Sequence, residues 1–160
     1  MLNVLLVSTL PNAFHRALAE RTDIALRVYD FAATDFPSKA AFLADVTDLT
    51  DKENFDLLIT YRCPYLIPAD VRSRFGRCVN VHPLPLPDFA GANPWPRFLA
   101  SGLTRAEAVA HELTDSPDAG HVIARVPYTV TSPATARQTA DAATAALIPN
   151  ILPVPCVIYK

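Results

Sequence analysis

Glycine is scarce in this chain. Its 160 residues include only four, and none lies between Ser8 and Pro11, where the first apolar run ends. The Gly-rich turn that holds dinucleotide phosphates at this point of an α/β fold is therefore absent. Cysteine is sparse as well. Cys63, Cys78 and Cys156 are odd in number and lack Cys-x-x-Cys spacing, so neither a disulfide framework nor a zinc knuckle is suggested. Excess charge is also missing. Fourteen Lys and Arg stand against sixteen Asp and Glu, a net charge of −2, which removes the bulk electrostatic case for nucleic acid. No apolar run reaches the ~18 residues of a membrane helix. The first residues lack the basic region, apolar core and cleavage site of a secretory signal. The expectation is a chain with no nucleic-acid or membrane partner in a reducing cytoplasm.

Hydrophobic residues are plentiful, at 51% against 19% charged, a globular composition. The length predicts a single domain over residues 1–160 with a real core. Asn3 to Ser8 reads as a buried parallel strand. Asn12 follows as the N-cap of a helix through Glu20, with Ala13, Phe14, Ala17 and Leu18 on its apolar face. Ile24 to Tyr29 is a second strand. Pro37 and Ser38 open a helix to about Leu49, with Ala41, Phe42, Ala44 and Val46 as partial core. Phe55 to Thr60 is a third strand. A short helix from Pro68 stops near Gly76, and Cys78 to Val81 is a fourth strand. This rhythm predicts an α/β fold with a mainly parallel central sheet flanked by helices.

Prolines dominate what comes next. Pro83, Pro85 and Pro87 fix φ and remove amide donors, which predicts a stiff loop close to polyproline II. Alternation along the fourth strand puts Asn80 and His82 on one face at its end, just before that loop. Pro94 to Ala100 reads as a short helix in which Trp95 and Phe98 serve packing. Ala106 to Leu113 suits a helix on propensity. Thr114 to Gly120 is a turn, rich in Asp, Ser, Pro and Gly. His121 to Tyr128 is a strand, Ser132 and Pro133 open an alanine-rich helix to about Ala146, and Pro149 to Lys160 reads as coil or edge.

Of the four histidines, His15 suits the surface or a cap, His111 a buried structural role, and His121 the end of a turn. His82 differs by sharing a face with Asn80. Asp115 and Asp118 either cap their own turn or orient and protonate a neighbouring histidine. Cys63 reads as a small buried hydrophobe. No His and Asp spacing closes a metal set, so no metal is expected.

Taken together, Asn80-Val81-His82-Pro83, Leu86-Pro87 with Gly91, and Asp118-Ala119-Gly120 resemble the signature of the 10-formyltetrahydrofolate-dependent formyltransferases. That family reads Asn-x-His-Pro-Ser-Leu-Leu-Pro, a glycine a few residues on, and later Asp-x-Gly. Methionyl-tRNA, glycinamide ribonucleotide and sugar-nucleotide formyltransferases are members. The likeness runs from about Asn3 to Val130 by strand order. It implies a Rossmann-like formyltransferase fold, with strand rather than helix over Ala106 to Leu113. It places the catalytic Asn, His and Asp at Asn80, His82 and Asp118, and a recurrent His at His111. It implies 10-formyltetrahydrofolate as co-substrate, held by Cys63, Pro64, Tyr65, Leu66, Thr114 and Asp115 largely through backbone groups.

The departures are specific. Leu84 replaces the usual Ser. The first loop lacks the phosphate-holding glycines of the purine enzyme, and neither a tRNA-holding domain nor a regulatory domain is expected beside the core. The implied reaction is formyl transfer to a primary amine of a small-molecule, sugar-nucleotide or carrier-bound acceptor. A formyltetrahydrofolate hydrolase core, or a non-catalytic folate-binding domain, are the alternatives. Neither the acceptor nor the oligomeric state follows from the sequence.

Overall fold

A computed structural model describes residues 1–153. Six strands form one sheet in the order β2-β1-β3-β4-β5-β6. β1 (Leu2–Ser8), β2 (Ile24–Asp30), β3 (Phe55–Tyr61) and β4 (Phe75–His82) run parallel, while β5 (Arg105–Glu112) and β6 (Val122–Thr129) extend the sheet antiparallel. The sheet is thus a Rossmann-like arrangement with a hairpin at one edge. Between the strands lie α1 (Ala13–Ala19), α2 (Lys39–Lys52), the four-residue α3 (Ala69–Arg72) and α4 (Trp95–Ser101). α5 (Ala136–Thr144), a short 3-10 turn and α6 (Ile148–Ile151) close the described chain.

The apolar run of β1 is continuous because both faces of the strand are covered. Val4 and Leu6 pack with Phe14, Leu18, Ile59, Leu147 and Ile151 on one face. Leu5 and Val7 pack with Phe42, Val46, Leu58 and Val71 on the other. A third cluster, Leu84, Phe89, Phe98, Ala106, Val130 and Ala136, sits beside the hairpin edge.

Asn12 caps α1 as its sequence position suggests, its Oδ1 accepting from the His15 amide at 2.8 Å. Ser38 does the same for α2. On α2 only Phe42 and Val46 are buried; Ala41 and Ala44 face solvent. Gly76 does not stop a helix. It lies within β4, where an added Cβ would stand 2.7 Å from the Asp56 carbonyl oxygen. The strand pair, not the preceding helix, requires glycine there. The proline-rich segment departs from polyproline II and folds back on itself. Phe89 N donates to the Pro85 carbonyl at 3.0 Å and Ala90 N to that of Pro87 at 3.3 Å. Residues 105–112 are strand despite their helical propensity, because β4 and β6 pair with them on both sides. Pro149 lies in the first turn of α6, where a missing amide costs nothing. The rest of the expected proline-rich tail, from 154 onward and including Cys156, lies outside the described residues. No helix among the described residues is long and apolar enough to cross a membrane.

Candidate active site

Parallel strands leave their carboxyl ends as the open edge of an α/β sheet, and β4 ends there with Asn80 and His82. Asn80 pairs with Thr60 of β3 on one side and with His111 of β5 on the other. The turn after β5 folds back over this edge. Its close approach explains Gly120: a Cβ there would lie 1.7 Å from the Glu112 carbonyl oxygen, so no side chain fits. Asp118 sits two residues earlier with φ +53°, a left-handed conformation that Asp tolerates better than most residues.

These elements bring four side chains together. Asp118 Oδ1 lies 3.4 Å from Asn80 Nδ2, 3.5 Å from His82 Nδ1 and 3.4 Å from His111 Nε2. Each of these distances is long for a hydrogen bond. Asp118 Oδ2, by contrast, accepts from the Gly91 amide at 2.8 Å. One carboxylate oxygen is thus anchored, and the other is surrounded by polar groups without being committed to any.

The neighbours fix the proton positions. His82 Nε2 donates to the Phe89 carbonyl at 2.9 Å, which leaves Nδ1 as the lone-pair atom facing Asp118. His111 Nδ1 donates to the Glu112 carbonyl at 2.9 Å, so its Nε2 accepts from the Asn80 amide at 3.0 Å. Thr60 Oγ1 donates to Asn80 Oδ1 at 2.7 Å. Burial lowers the His82 pKa from its ordinary value, and the Asp118 charge and the Phe89 carbonyl do not offset this. His82 is therefore neutral at pH 7. Burial would raise the Asp118 pKa; a proton on the His111 or His82 ring, where present, and the Gly91 amide act the other way, and the carboxyl sits below its ordinary value.

Two cavities meet at this cluster. One, of about 500 Å³, is walled by Thr9, Phe36, Arg62, Pro83 and Trp95 among others. The second, of about 290 Å³, is walled by Cys63, Pro64, Tyr65, Leu66, Leu113, Ser116 and Pro117 among others. Asn80, Gly91 and Asp118 border both. Among the described residues, no backbone or side-chain acceptor takes the amides of Cys63, Tyr65 or Leu66. A cavity of this mixed polar and apolar lining suits a flat heterocycle with a polar edge.

Not every expected wall residue is in place. Cys63, Pro64, Tyr65 and Leu66 line the second cavity, but Thr114 and Asp115 do not. They border a separate cavity of about 230 Å³ beside Lys39 and Arg72, and Arg72 holds Asp115 at 2.8 Å. Leu113, before these two, and Ser116 and Pro117, after them, line it instead. The Cys63 thiol is pushed up to about 11 by burial, consistent with an inert residue. Phe98 is buried and meets Trp95 edge-on at 5.9 Å, so both pack, although Trp95 also borders the larger cavity. His121 is exposed. Among the described residues, no group of three or more His, Cys, Asp or Glu is placed to hold a metal ion.

Residue reading alone left His111 as a structural core histidine. Pairing with Asn80 across β4 and β5 carries it into the cluster. Thr60 and the Gly91 amide carried no chemical signal of their own, since both act through strand register and loop path.

Residues 2–153 match the family described as formyl transferase. The phosphoribosylglycinamide formyltransferase of Mycobacterium tuberculosis is 28% identical over 116 residues, covering 72% of this chain and 54% of that protein. The chain therefore spans about half the length of the curated relatives it matches first. Among solved structures, the phosphoribosylglycinamide formyltransferase of Streptococcus pneumoniae TIGR4 superposes with a TM-score of 0.75 at 19% identity, covering 94% of this chain and 97% of that one. A formyltetrahydrofolate deformylase from Pseudomonas syringae superposes with a TM-score of 0.76 at 19% identity, covering 93% and 59%. These two show a shared fold. With that family match running across nearly the whole described sequence, the chain belongs to the formyl transferase family.

Proposed function

We propose that this chain transfers a formyl group from 10-formyltetrahydrofolate to a primary amine, with Asn80, His82 and Asp118 as its catalytic residues. One observation carries the reading. A neutral histidine, an oriented amide donor and an uncommitted carboxylate oxygen converge where two cavities meet. Two reactants approaching from opposite sides would meet at these groups.

The donor supplies an activated formyl carbon. Cys63, Pro64, Tyr65 and Leu66 offer it a wall of the smaller cavity, shared with Leu113, Ser116 and Pro117. The acceptor amine enters by the larger one. Asn80 Nδ2 keeps one hydrogen on His111 and turns the other, held only loosely by Asp118, to the formyl oxygen as it gains charge. Such a donor contributes about 3 kcal/mol in comparable oxyanion holes. His82 Nδ1 and Asp118 Oδ1 are two acceptors facing each other at 3.5 Å with no proton between them. Together they receive the proton that the amine loses on forming its new bond, and it passes to the folate N10 as the bond from N10 to the formyl carbon breaks and tetrahydrofolate leaves.

The larger cavity restricts the acceptor. Three amides of the β1–α1 loop and the first turn of α1 already have acceptors within the chain. Leu10 N donates to Asp30 at 3.0 Å, Ala13 N to Asp141 at 2.9 Å and His15 N to Asn12. With two of those acceptors carboxylates, this loop is unsuited to a phosphate, and the acceptor is read elsewhere in the cavity.

Water in place of the amine would make the same site a hydrolase, and the open larger cavity admits it. The test is incubation with 10-formyltetrahydrofolate, with and without a panel of amino sugars, nucleotide amino sugars and aminoacyl carriers. N-formyl product by mass spectrometry supports transfer. Formate release that no amine diverts supports hydrolysis. Neither product, with donor bound, overturns both.

A further inference from the structure

The β3 threonine beneath the site has no part in the reaction as proposed, yet its environment is specific. Thr60 is 2% exposed and lies on the strand pair between β3 and β4, directly across from Asn80. Its hydroxyl makes a 2.7 Å bond to Asn80 Oδ1. Neighbouring residues on β3, Leu58 and Ile59, are fully buried aliphatics. A hydroxyl in such a strand needs a partner, and this one has Asn80.

We infer that Thr60 is a positioning residue that holds the Asn80 amide in the plane that presents Nδ2 to the reaction, an inference that rests on the formyl-transfer reading of this site. An amide has two nearly equivalent orientations, related by a half-turn about its last torsion. In the orientation present, Nδ2 points at His111 Nε2 and Asp118 Oδ1, both acceptors. The reverse would set Asn80 Oδ1 against a lone pair at 3.0 Å and a carboxylate at 3.4 Å, and would leave the site without its donor. His111 and Asp118 oppose that reversal; the Thr60 hydroxyl, able to donate or accept, anchors the far side of the amide and fixes its plane. Holding Oδ1 from behind also stops the amide swinging toward the Asp118 carboxylate, which keeps the second Nδ2 hydrogen available to an incoming oxygen. His111 is held in turn by the Glu112 carbonyl, so the amide is gripped at both ends.

The test reads the amide directly. The side-chain NH₂ of Asn80 is followed by NMR hydrogen exchange in the native chain, in Thr60→Val, which keeps the shape and loses the hydroxyl, and in Thr60→Ser, which keeps the hydroxyl. The expected result is exchange faster by about tenfold in Thr60→Val, the factor that loss of one ordinary hydrogen bond produces, and a return to within about threefold of native in Thr60→Ser. Formyl turnover should follow the same order. Should Thr60→Val fail to fold, Thr60→Ala, which adds no bulk, replaces it in the comparison. Native-like exchange in the variant without a hydroxyl overturns the inference, as does a Thr60→Ser that behaves like it. Because exchange is measured without an acceptor, it stands even if no amine is formylated. Loss of formyl transfer as a function would then leave this result intact.

Discussion

Asp118 illustrates how one side chain is divided between structure and chemistry. Its Oδ2 ties the end of the proline-rich loop through Gly91, and its Oδ1 faces Asn80, His82 and His111. Asn in its place keeps the size and the tolerance of a left-handed φ, so Asp118→Asn should melt within a few degrees of the native chain. It loses the charge and basicity, so turnover should fall by ~10²-fold while the donor Kd changes little. Steady-state rates beside calorimetry and a thermal melt check this; near-normal turnover would return Asp118 to a capping role. The pH dependence follows from two lowered pKa values. The proposed active form has His82 neutral and Asp118 ionised, both deprotonated. Because burial lowers the His82 value from 6.5, activity should be flat through neutrality and decline only on the acid side of 6.5. Stability has the same sign. Below 6.5 the unfolded chain takes up a proton that folded His82 resists, so stability drops as the pH is lowered until the folded value is passed. Asp118 adds a second loss as pH drops below 3.8 toward its lowered folded value. A His82→Gln variant should lose the upper part of this slope in pH-dependent denaturation.

At the scale of the elements, the proline-rich loop is held from both ends. Its carbonyl at Phe89 fixes the His82 ring, Tyr128 donates to Pro83 at 2.5 Å, and Leu84 is fully buried against Phe98 and Val130. Leu84 is therefore a core residue, and restoring the family's usual serine should not improve the site. Leu84→Ser is expected to cost about 3 kcal/mol by denaturant titration, through lost burial, a cavity and a hydroxyl without a partner. Little change would mean that the third cluster is loosely packed. The β1–α1 loop carries a different expectation. Asp30 and Asp141 already accept from its amides and from the first turn of α1, so glycinamide ribonucleotide should show no useful turnover. A rate comparable to a dedicated purine enzyme would show that its phosphate is held by some other part of the cavity.

At the scale of the whole molecule, both core layers share one sheet, so unfolding should be a single cooperative transition. If the smaller cavity takes the folate donor as proposed, 5-formyltetrahydrofolate should raise the midpoint of that transition. No shift at millimolar ligand would remove the folate reading. The sequence by itself determined the parallel part of the sheet and the caps, because buried strands of continuous Val and Leu and Asn or Ser before a helix are local signals. It also placed Asn80 and His82 on one face, since strand alternation needs only the chain itself. The tertiary structure decided the rest. Residues 105–112 became strand through pairing on both sides, against their own propensity. The proline-rich loop turned because Leu84 and Phe89 had an apolar cluster to enter. Ser116 and Pro117, not Thr114 and Asp115, line the cleft, a matter of loop path. Thr60, His111 and Gly91 joined the cluster because β3, β5 and the loop after β4 converge on one strand end, a fact of register and chain path that no local pattern encodes.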